Sequence, residues 1–256
     1  MSVEADNYLA RVASKYHIGS DIDSLTQTFV IKPLINIIKE WAGEFLYDIY
    51  LSGSRAKGTA ITLSSDLDLF ISLRHDTNYS LKEIYNSLAK YLTQCGLKPR
   101  KQNVSLGVQK SGTNVDLVPA KKRPGHTNYH SLYLNKRDSW TQTNVMEHIN
   151  LVKNSGRITE IVLLKIWRKL HNLEFPSIYL ELTVIEALKG KSKSKLSENF
   201  LFLLKYLQDE FVQKTIIDPA NSNNIISDDL YKYEKEAIRK KAIESLSQKY
   251  WEDIIW

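Results

Sequence analysis

The spacing of hydrophobic and polar positions changes along the chain, and each spacing predicts an element. Apolar residues recur every three to four positions from Thr28 to Phe45, which predicts one long amphipathic helix. Alternation then predicts a short strand over Tyr47–Leu51 and a second strand over Asp66–Leu73. A helix over about Leu81–Gln94 comes next. It is followed by a predicted β-hairpin whose strands carry Val104, Leu106 and Val108 on one side of a turn at Lys110 to Thr113, and Val115 and Leu117 on the other.

Beyond Pro124 the strand signals stop and helical spacing takes over. The predicted helices are Asn144–Asn154, Arg157–His171, Ile178–Leu188, Ser197–Glu210 and Asp228–Tyr250. The sequence therefore predicts an α/β (α+β) protein with two lobes. Residues 1–150 form a lobe with a sheet and an N-terminal helix, and residues 151–256 form a helical lobe. A cleft between two such lobes is where we expect a ligand site.

Composition narrows the class of protein. The 256 residues are 43% hydrophobic and 25% charged, as in an ordinary globular protein. Cys95 is the single cysteine, which excludes a disulfide scaffold and a multi-thiolate zinc site. The chain shows neither a signal peptide nor an apolar stretch that could span a bilayer, so we expect a cytoplasmic protein without a membrane partner. Its net charge of +6 favours polyanionic partners.

Two carboxylates are expected to share one face of a strand. Asp66 and Asp68 are two positions apart, so they project to the same side while Leu67 and Leu69 enter the core. Carboxylates held close together repel each other unless a cation neutralises them or one is protonated. Oxygen ligands of this kind suit Mg²⁺, which shares its remaining positions with water and substrate phosphates.

A third acid strengthens this interpretation. Asp116 lies in an apolar strand over Asn114–Val118, which supplies no basic partner. If the hairpin pairs beside the Asp66 strand, the three carboxylates converge and could hold two divalent ions, Mg²⁺ or Mn²⁺. Upstream, Gly53 permits close approach of the backbone, and the Ser54 hydroxyl with adjacent N–H groups can cradle a triphosphate.

The ordered set of these residues resembles a known active site. Gly53-Ser54, Gly58-Thr59, Asp66-x-Asp68 and a later strand Asp116 look like the polymerase-β-type nucleotidyltransferase superfamily. This resemblance implies a mixed sheet bearing three metal-binding carboxylates. It also implies transfer of a nucleotide from an NTP or dNTP to a hydroxyl, with release of pyrophosphate. The segment Gly19-Ser20-Asp21-Ile22-Asp23 contains the same letters, but it precedes a helix and is predicted to be a loop and helix cap.

Three segments of the helical half, Leu163–Arg168, Ser177–Leu182 and Ile217–Asn224, resemble the second lobe of oligoadenylate synthases, bacterial cGAS/DncV-like enzymes and, in part, archaeal CCA-adding enzymes. The resemblance covers about residues 45–225. It implies that Lys165 contacts the donor's β/γ-phosphates; the alternative is a snorkelling lysine at a helix edge. Tyr179 is either a nucleotide contact or a core tyrosine, because Ile178 occupies the usual aromatic position. Ser177 is predicted first as an N-cap and second as a phosphate contact.

Three functions are compatible with these residues. The first is template-independent synthesis of a cyclic or short linear oligonucleotide signal, which the resemblance places in bacterial antiviral defence with a separate effector protein reading the product. The second is addition of nucleotides to an RNA or tRNA end, by a tailing enzyme or a tRNA-modifying toxin. The third is a binding module without chemistry, which ranks last because all three acids are present. Basic runs at 121–123 and 189–195 are typical of solvated surface, or of a rim that attracts an oligonucleotide or tRNA.

Overall fold

The computed structural model describes residues 3–64, 66–125 and 127–256. The helices are α1 (Val3–Tyr16), α2 (Ser24–Thr26), α3 (Lys32–Ala42), α4 (Gly53–Lys57), α5 (Leu81–Gln94), α6 (Val145–Asn154), α7 (Ile158–Leu170), α8 (Ser177–Ala187), α9 (Leu196–Asp209) and α10 (Lys232–Leu246). The strands are β1 (His17–Ile18), β2 (Leu46–Ser52), β3 (Ala60–Ile61), β4 (Leu67–Leu73), β5 (Arg100–Lys101), β6 (Leu106–Lys110), β7 (Thr113–Lys122), β8 (His130–Leu134), β9 (Ser139–Thr143), β10 (Ile217–Asp218) and β11 (Asn221–Ile225).

The chain divides into two compact units, and their composition differs from the predicted lobes. One unit contains Met1–Gly19, Lys57–Ser65 and Asn150–Trp256, and the other contains Ser20–Ala56 and Asp66–Ile149. One boundary between the units falls between Ile149 and Asn150. The N-terminal helix, however, belongs to the helical unit, because α1 buries Leu9, Val12 and Ala13 in the same core as α7 and α9.

The second unit is built on a mixed sheet, as predicted. Its strand order is β2-β4-β7-β6-β5, and β8 joins β7 and β9 joins β8. β4 and β7 run parallel, whereas the other pairs in this sheet are antiparallel. The expectation that strand signals stop beyond Pro124 is wrong for the short pair β10 and β11 and, in this sheet, for β8 and β9. Their pairing depends on β7, which β8 joins at Ala120–Lys122, beyond the residues that pair with β6.

Helices cover the apolar face of this sheet. The helix predicted over Thr28–Phe45 is realised as a π-helical stretch, Gln27–Ile31, that leads into α3. Leu34 and Ile38 of α3 and Leu88 of α5 are fully buried in the core beside the strands. The prediction for α5 is confirmed at both ends, and Ser80 with Glu83 forms the capping box that starts it. Asp23 caps α2 through Thr26, so the predicted helix cap in that loop is also confirmed.

The helical unit is organised around α7 and α8. Both helices are buried on nearly every side. Helices α1, α9 and α10 belong to the layer around them and have exposed outer faces. The helices predicted over 144–210 are confirmed within one or two residues. The helix predicted over Asp228–Tyr250 is too long, because α10 is preceded by a short 3-10 turn at Ile226–Asp229 and followed by another at Trp251–Asp253. Within the described residues, no helix combines the length and apolar character needed to cross a bilayer.

The central strand β4 should dominate the stability of the sheet unit. Ile71 is completely buried there, so Ile71→Ala is expected to lower the free energy of unfolding by about 2–5 kcal/mol through the cavity it leaves. Ile225→Ala, at a half-exposed position of β11, should change it by less than about 0.5 kcal/mol. Urea unfolding followed by circular dichroism measures both. Equal effects would show that β4 is not a core strand.

Candidate active site

The parallel pairing of β4 and β7 places two predicted site residues side by side. Asp68 is the register partner of Asp116. Leu67, Leu69, Val115 and Leu117, which flank them, are buried in the core of the sheet unit. Because side chains alternate along a strand, both acids project from the opposite face. The structure therefore brings Asp68 and Asp116 together.

The same row of residues continues across the neighbouring strands. Ser52 of β2 is opposite Asp68, and Gly107 of β6 is opposite Asp116. The Ser52 hydroxyl donates to the Asp68 main-chain oxygen at 3.3 Å. A Cβ on Gly107 would lie 3.1 Å from Asp116 Oδ1 and 2.8 Å from the Gln102 amide. The two carboxylates thus have small residues opposite them on both neighbouring strands, and the Gln102 side chain occupies the space beside Gly107.

Asp66 lies one residue before β4 and is exposed. It was predicted to begin the strand, but the strand starts at Leu67. Asn114 Nδ2 donates to Asp66 Oδ1 at 3.3 Å, which holds Asp66 against the start of β7. Among the described residues, no three His, Cys, Asp or Glu side chains already lie close enough to hold a metal ion. The three-carboxylate site with Asp66 as a member therefore stays a prediction.

The surroundings of Asp116 shift its pKa. Burial raises its pKa, and the negative charge of Asp66 raises it further. Gln102 Nε2 donates to Asp116 Oδ1 at 2.9 Å, and this hydrogen bond works in the opposite direction. Asp116 therefore experiences the charge of Asp66.

Gly53 makes room for Asp68. Its φ is +60°, and an added Cβ would lie 1.8 Å from Asp68 Oδ2. Only glycine tolerates both the left-handed backbone and this contact. Gly53 also starts α4, which places Ser54 in the first turn of that short helix. The contact of Gly53 and Ser54 with a triphosphate stays a prediction.

The donor chemistry and the space at Gly53 fit a divalent ion. Asp66, Asp68 and Asp116 offer only carboxylate oxygens, which are the ligands that Mg²⁺ and Mn²⁺ prefer. Because residue 53 is glycine, no Cβ displaces the Asp68 carboxylate. These residues are suited to hold such an ion.

A second charged group is buried in the helical unit. Glu181 is completely buried, and it pairs with Lys165 Nζ at 2.6 Å through Oε1 and with Lys57 Nζ at 2.7 Å through Oε2. Thr59 Oγ1 donates to Glu181 Oε1 at 3.0 Å and accepts from Lys165 Nζ at 2.8 Å. We call Lys57, Thr59, Lys165 and Glu181 the buried ion cluster.

Charge pairing controls the titration of this cluster. Burial acts to raise the pKa of Glu181, but the charges of Lys57 and Lys165 outweigh it and lower the pKa to about 2. Burial also lowers the pKa of Lys165, while the negative charge of Glu181 opposes that shift. Glu181 is therefore ionised wherever the protein is folded at ordinary pH.

The buried ion cluster excludes one of the two alternatives for Lys165. Its side chain is 2% exposed, so the snorkelling alternative is wrong. The anion that Lys165 contacts in the structure is Glu181. A direct contact of Lys165 with phosphate stays a prediction. It would require the ammonium group to share or leave its pair with Glu181. Sequence reasoning did not select Lys57 and Glu181, although Glu181 lies between Leu180 and Leu182, where a lone acid signals a buried partner.

Ser177 and Tyr179 occupy different environments in α8. The N-cap of α8 is Pro176, so the predicted cap at Ser177 is wrong: Ser177 is the first helical residue. Its hydroxyl accepts from Arg168 Nη1 at 3.3 Å, and it lines a pocket of about 350 Å³ with Arg168 and Lys169. Tyr179 is completely buried, with its ring stacked on Phe211 at 5.2 Å. This placement corresponds to the core tyrosine and goes against a nucleotide contact.

Comparison with known proteins shows similarity to nucleotidyltransferases. Residues 31–128 match the family model described as a nucleotidyltransferase domain. A cyclic AMP-AMP-AMP synthase of Escherichia coli (strain MS 115-1) is 26% identical over 202 residues, which is 69% of this chain and 63% of the synthase. The chain thus spans less than two thirds of that relative.

Solved structures show the same fold. The structure of E. coli MS115-1 CdnC with ATP has a TM-score of 0.75 at 22% identity and covers 93% of this chain and 89% of that one. The Cid1 poly(U) polymerase bound to MgGTP has a TM-score of 0.67 at 12% identity and covers 97% and 96%. Both likenesses extend over nearly the whole chain, so they include the sheet and the helices.

Gly53→Ala tests the close approach at Asp68. The added methyl group should displace the Asp68 carboxylate, so pyrophosphate release from nucleoside triphosphates is expected to fall by about 100-fold or more, as displacements of about 1 Å at a catalytic centre do. Gly58→Ala is the matched control, because Gly58 also has a positive φ but no atom near its missing Cβ. Full activity in Gly53→Ala would contradict the proposed role of this contact.

Glu181→Gln tests the buried ion cluster. Removal of the charge leaves two buried ammonium groups, so the free energy of unfolding should fall by about 3 kcal/mol at neutral pH. Glu186 lies on the same helix as Glu181 and forms an exposed ion pair with Lys214. Glu186→Gln should change the free energy of unfolding by less than about 1 kcal/mol.

The same variant gives a pH dependence. The pKa of Glu181 lies below its ordinary value of 4.5, so its stabilisation is present above pH 4.5 and is lost as pH falls toward 2. The difference in unfolding free energy between wild type and Glu181→Gln should therefore shrink over that range. A constant difference in acid titrations of stability would show that Glu181 does not titrate as an ion pair.

Proposed function

Because residues 31–128 match a nucleotidyltransferase domain and the chain is similar to a cyclic AMP-AMP-AMP synthase, we propose that it is a polymerase-β-type nucleotidyltransferase that joins nucleotides from NTPs, without a template, into a cyclic or short linear oligonucleotide signal. The observation that carries the proposal is the adjacent pair Asp68 and Asp116, with Gly53 against Asp68, in a chain similar to a cyclic AMP-AMP-AMP synthase. Positioning and charge neutralisation supply most of the catalysis in phosphoryl transfer, so few other groups are required.

The three carboxylates have separable tasks in this proposal. Asp66 and Asp68 would hold two Mg²⁺ ions, or Mn²⁺ in their place, with Asp116 as a further ligand; such ions polarise an acceptor hydroxyl and neutralise the departing pyrophosphate. An Asp116 carboxylate oxygen accepts the proton of the acceptor hydroxyl. Gln102 holds that carboxylate at 2.9 Å and so sets its direction. Loss of Gln102 should therefore weaken catalysis more than nucleotide binding.

The donor triphosphate would bind at the start of α4. Gly53 brings the backbone close to Asp68, and the Ser54 hydroxyl with neighbouring N–H groups binds the phosphate oxygens. Contact of Lys165 with a phosphate is proposed from the resemblance alone, and it would require the ammonium group to share or leave its pair with Glu181. Ser177 contributes a hydroxyl in the pocket that it shares with Arg168 and Lys169.

The biological role follows from the resemblance to bacterial signal-producing enzymes. We place the product in antiviral defence, where a separate effector protein recognises it. The similarity to a cyclic AMP-AMP-AMP synthase favours ATP among the donors.

Addition of nucleotides to an RNA or tRNA 3′ end is the second candidate. It is favoured by the likeness to a poly(U) polymerase, which extends over 97% of this chain, and by the net charge of +6. The two candidates differ in the acceptor: a mononucleotide in the first, and the end of an RNA in the second. A bound RNA would make activity steeply dependent on salt.

One incubation separates these candidates. Purified protein with labelled NTPs or dNTPs and Mg²⁺ or Mn²⁺, with and without total tRNA, should release pyrophosphate and form a short oligonucleotide without tRNA. Label on tRNA alone would favour the second candidate. Asp68→Asn should abolish either product, because it removes a charge from the adjacent pair. The control Asp48→Asn, at an exposed acid of β2, should retain activity. Turnover in Asp68→Asn would contradict the mechanism.

A further inference from the structure

A basic pocket lies at the far end of the sheet from the two adjacent acids. It encloses about 430 Å³, and its lining includes His75, Lys121, Lys122, Arg123, Ser131 and Trp140. We call these residues the basic pocket. Lys121 and Lys122 end β7, the same strand that carries Asp116. Lys122 lies six positions after Asp116, which corresponds to about 20 Å at the usual rise of a strand. The basic pocket is thus distinct from the candidate active site.

The three consecutive cations of the pocket bond to neutral oxygens. Lys121 Nζ donates to the Thr77 main-chain oxygen at 2.6 Å, and Lys122 Nζ donates to that of Thr127 at 2.9 Å. Arg123 donates to the side-chain oxygen of Gln142. Hydrogen bonds to carbonyl groups orient a cation without cancelling its charge. These bonds leave the charge of Arg123 at the pocket uncancelled, whereas Lys121 and Lys122, as neighbours in β7, project to opposite faces of the sheet.

The acid next to His75 in the chain is already paired. Asp76 follows His75, but its carboxylate is paired with Arg74 at 2.6 Å, so that pair is neutral by itself. The positive field at the end of β7 is consequently available to a ligand.

Aromatic rings accompany the cations. Trp140 is 58% exposed, and the Arg123 guanidinium lies 5.9 Å from its ring centroid. Tyr47 is 59% exposed, and Lys122 Nζ lies 4.4 Å from its ring centroid. Exposed aromatic rings beside cations are the arrangement on which nucleic-acid bases stack while the phosphates bind the charges.

We propose that the basic pocket is a second binding site, for a nucleoside phosphate, separate from the site of nucleotidyl transfer. The base stacks on Trp140, and the phosphate binds the adjacent Arg123. The cavity has the size of one nucleotide rather than of a duplex. The ligand is either a free nucleotide or one unit of a single-stranded RNA, since both present a base next to a phosphate. This inference does not depend on the product made at the other site.

Fluorescence anisotropy and competition test the proposal. The probe is a fluorescein-labelled oligouridylate of about ten nucleotides, titrated with the full-length protein in EDTA, so that metal-linked binding at the carboxylates does not contribute. Unlabelled ADP and inorganic phosphate are the competitors, and a second titration follows ADP binding directly by calorimetry. Arg123→Glu and Trp140→Ala are examined singly and together.

The double variant has a matched control elsewhere on the surface. Lys249 lies over the exposed Tyr250 ring at 5.3 Å, so Lys249→Glu/Tyr250→Ala removes the same type of pair and changes the charge equally. We expect Trp140→Ala to weaken binding by about 10-fold and Arg123→Glu/Trp140→Ala by about 100-fold, with the control within about twofold of wild type. Pyrophosphate release without RNA should be unchanged in the double variant.

Each possible result either identifies the ligand of the basic pocket or overturns the proposal. Binding of RNA that the double variant loses identifies RNA as the source of the ligand, and binding of ADP alone identifies a free nucleotide. Competition by inorganic phosphate as strong as that by ADP would overturn the proposal, because the base would then contribute nothing. Equal loss in the control variant, or no binding of either probe, would also overturn it. None of these results depends on whether Asp68 supports catalysis, so the two proposals can fail separately.

Discussion

The parallel register between β4 and β7 is the constraint on which the candidate site depends. It sets Asp68 beside Asp116, and it is maintained by Leu67, Leu69 and Val115, which the same strands bury in the core. A shift of one residue in either strand would turn an acid inward and an apolar side chain outward, at a large cost in free energy. The hydrophobic core therefore forces two like charges into proximity. Such an arrangement is unfavourable in isolation, and it becomes useful where a cation and a phosphate are to be bound.

The pKa of a buried acid is shifted in opposite directions in the two units. In the helical unit, Glu181 is buried with two lysines and a threonine hydroxyl, and its pKa is lowered because its partners are at hydrogen-bond distance. In the sheet unit, the pKa of Asp116 is raised by burial and by a neighbouring acid. The first group stabilises the fold as it stands. The second group is held in a state that a bound cation would relieve, which is typical of a site built for a ligand.

The sequence predicted what depends on local pattern. Alternation in the strands directed Asp68 and Asp116 away from the apolar side chains beside them, although their proximity depended on how the hairpin pairs, and helical spacing located α5 to α9 within two residues. It could not predict which unit α1 joins, nor β8 and β9, because these features depend on contacts with distant parts of the chain. The partner of Lys165 was also missed: Glu181 is near in space, but nothing in the spacing of the two residues identifies the pair.

The central claim is that the carboxylates at the start of β4 and in β7 bind divalent cations. Titration of Mn²⁺ into the ATP-loaded protein, followed by the loss of the free-ion electron paramagnetic resonance signal, tests it most directly. The account predicts saturable binding in the wild type beyond what ATP alone retains, and loss of that binding in Asp116→Asn, which keeps the shape of the side chain but removes its charge. Undiminished Mn²⁺ binding in Asp116→Asn would contradict the account.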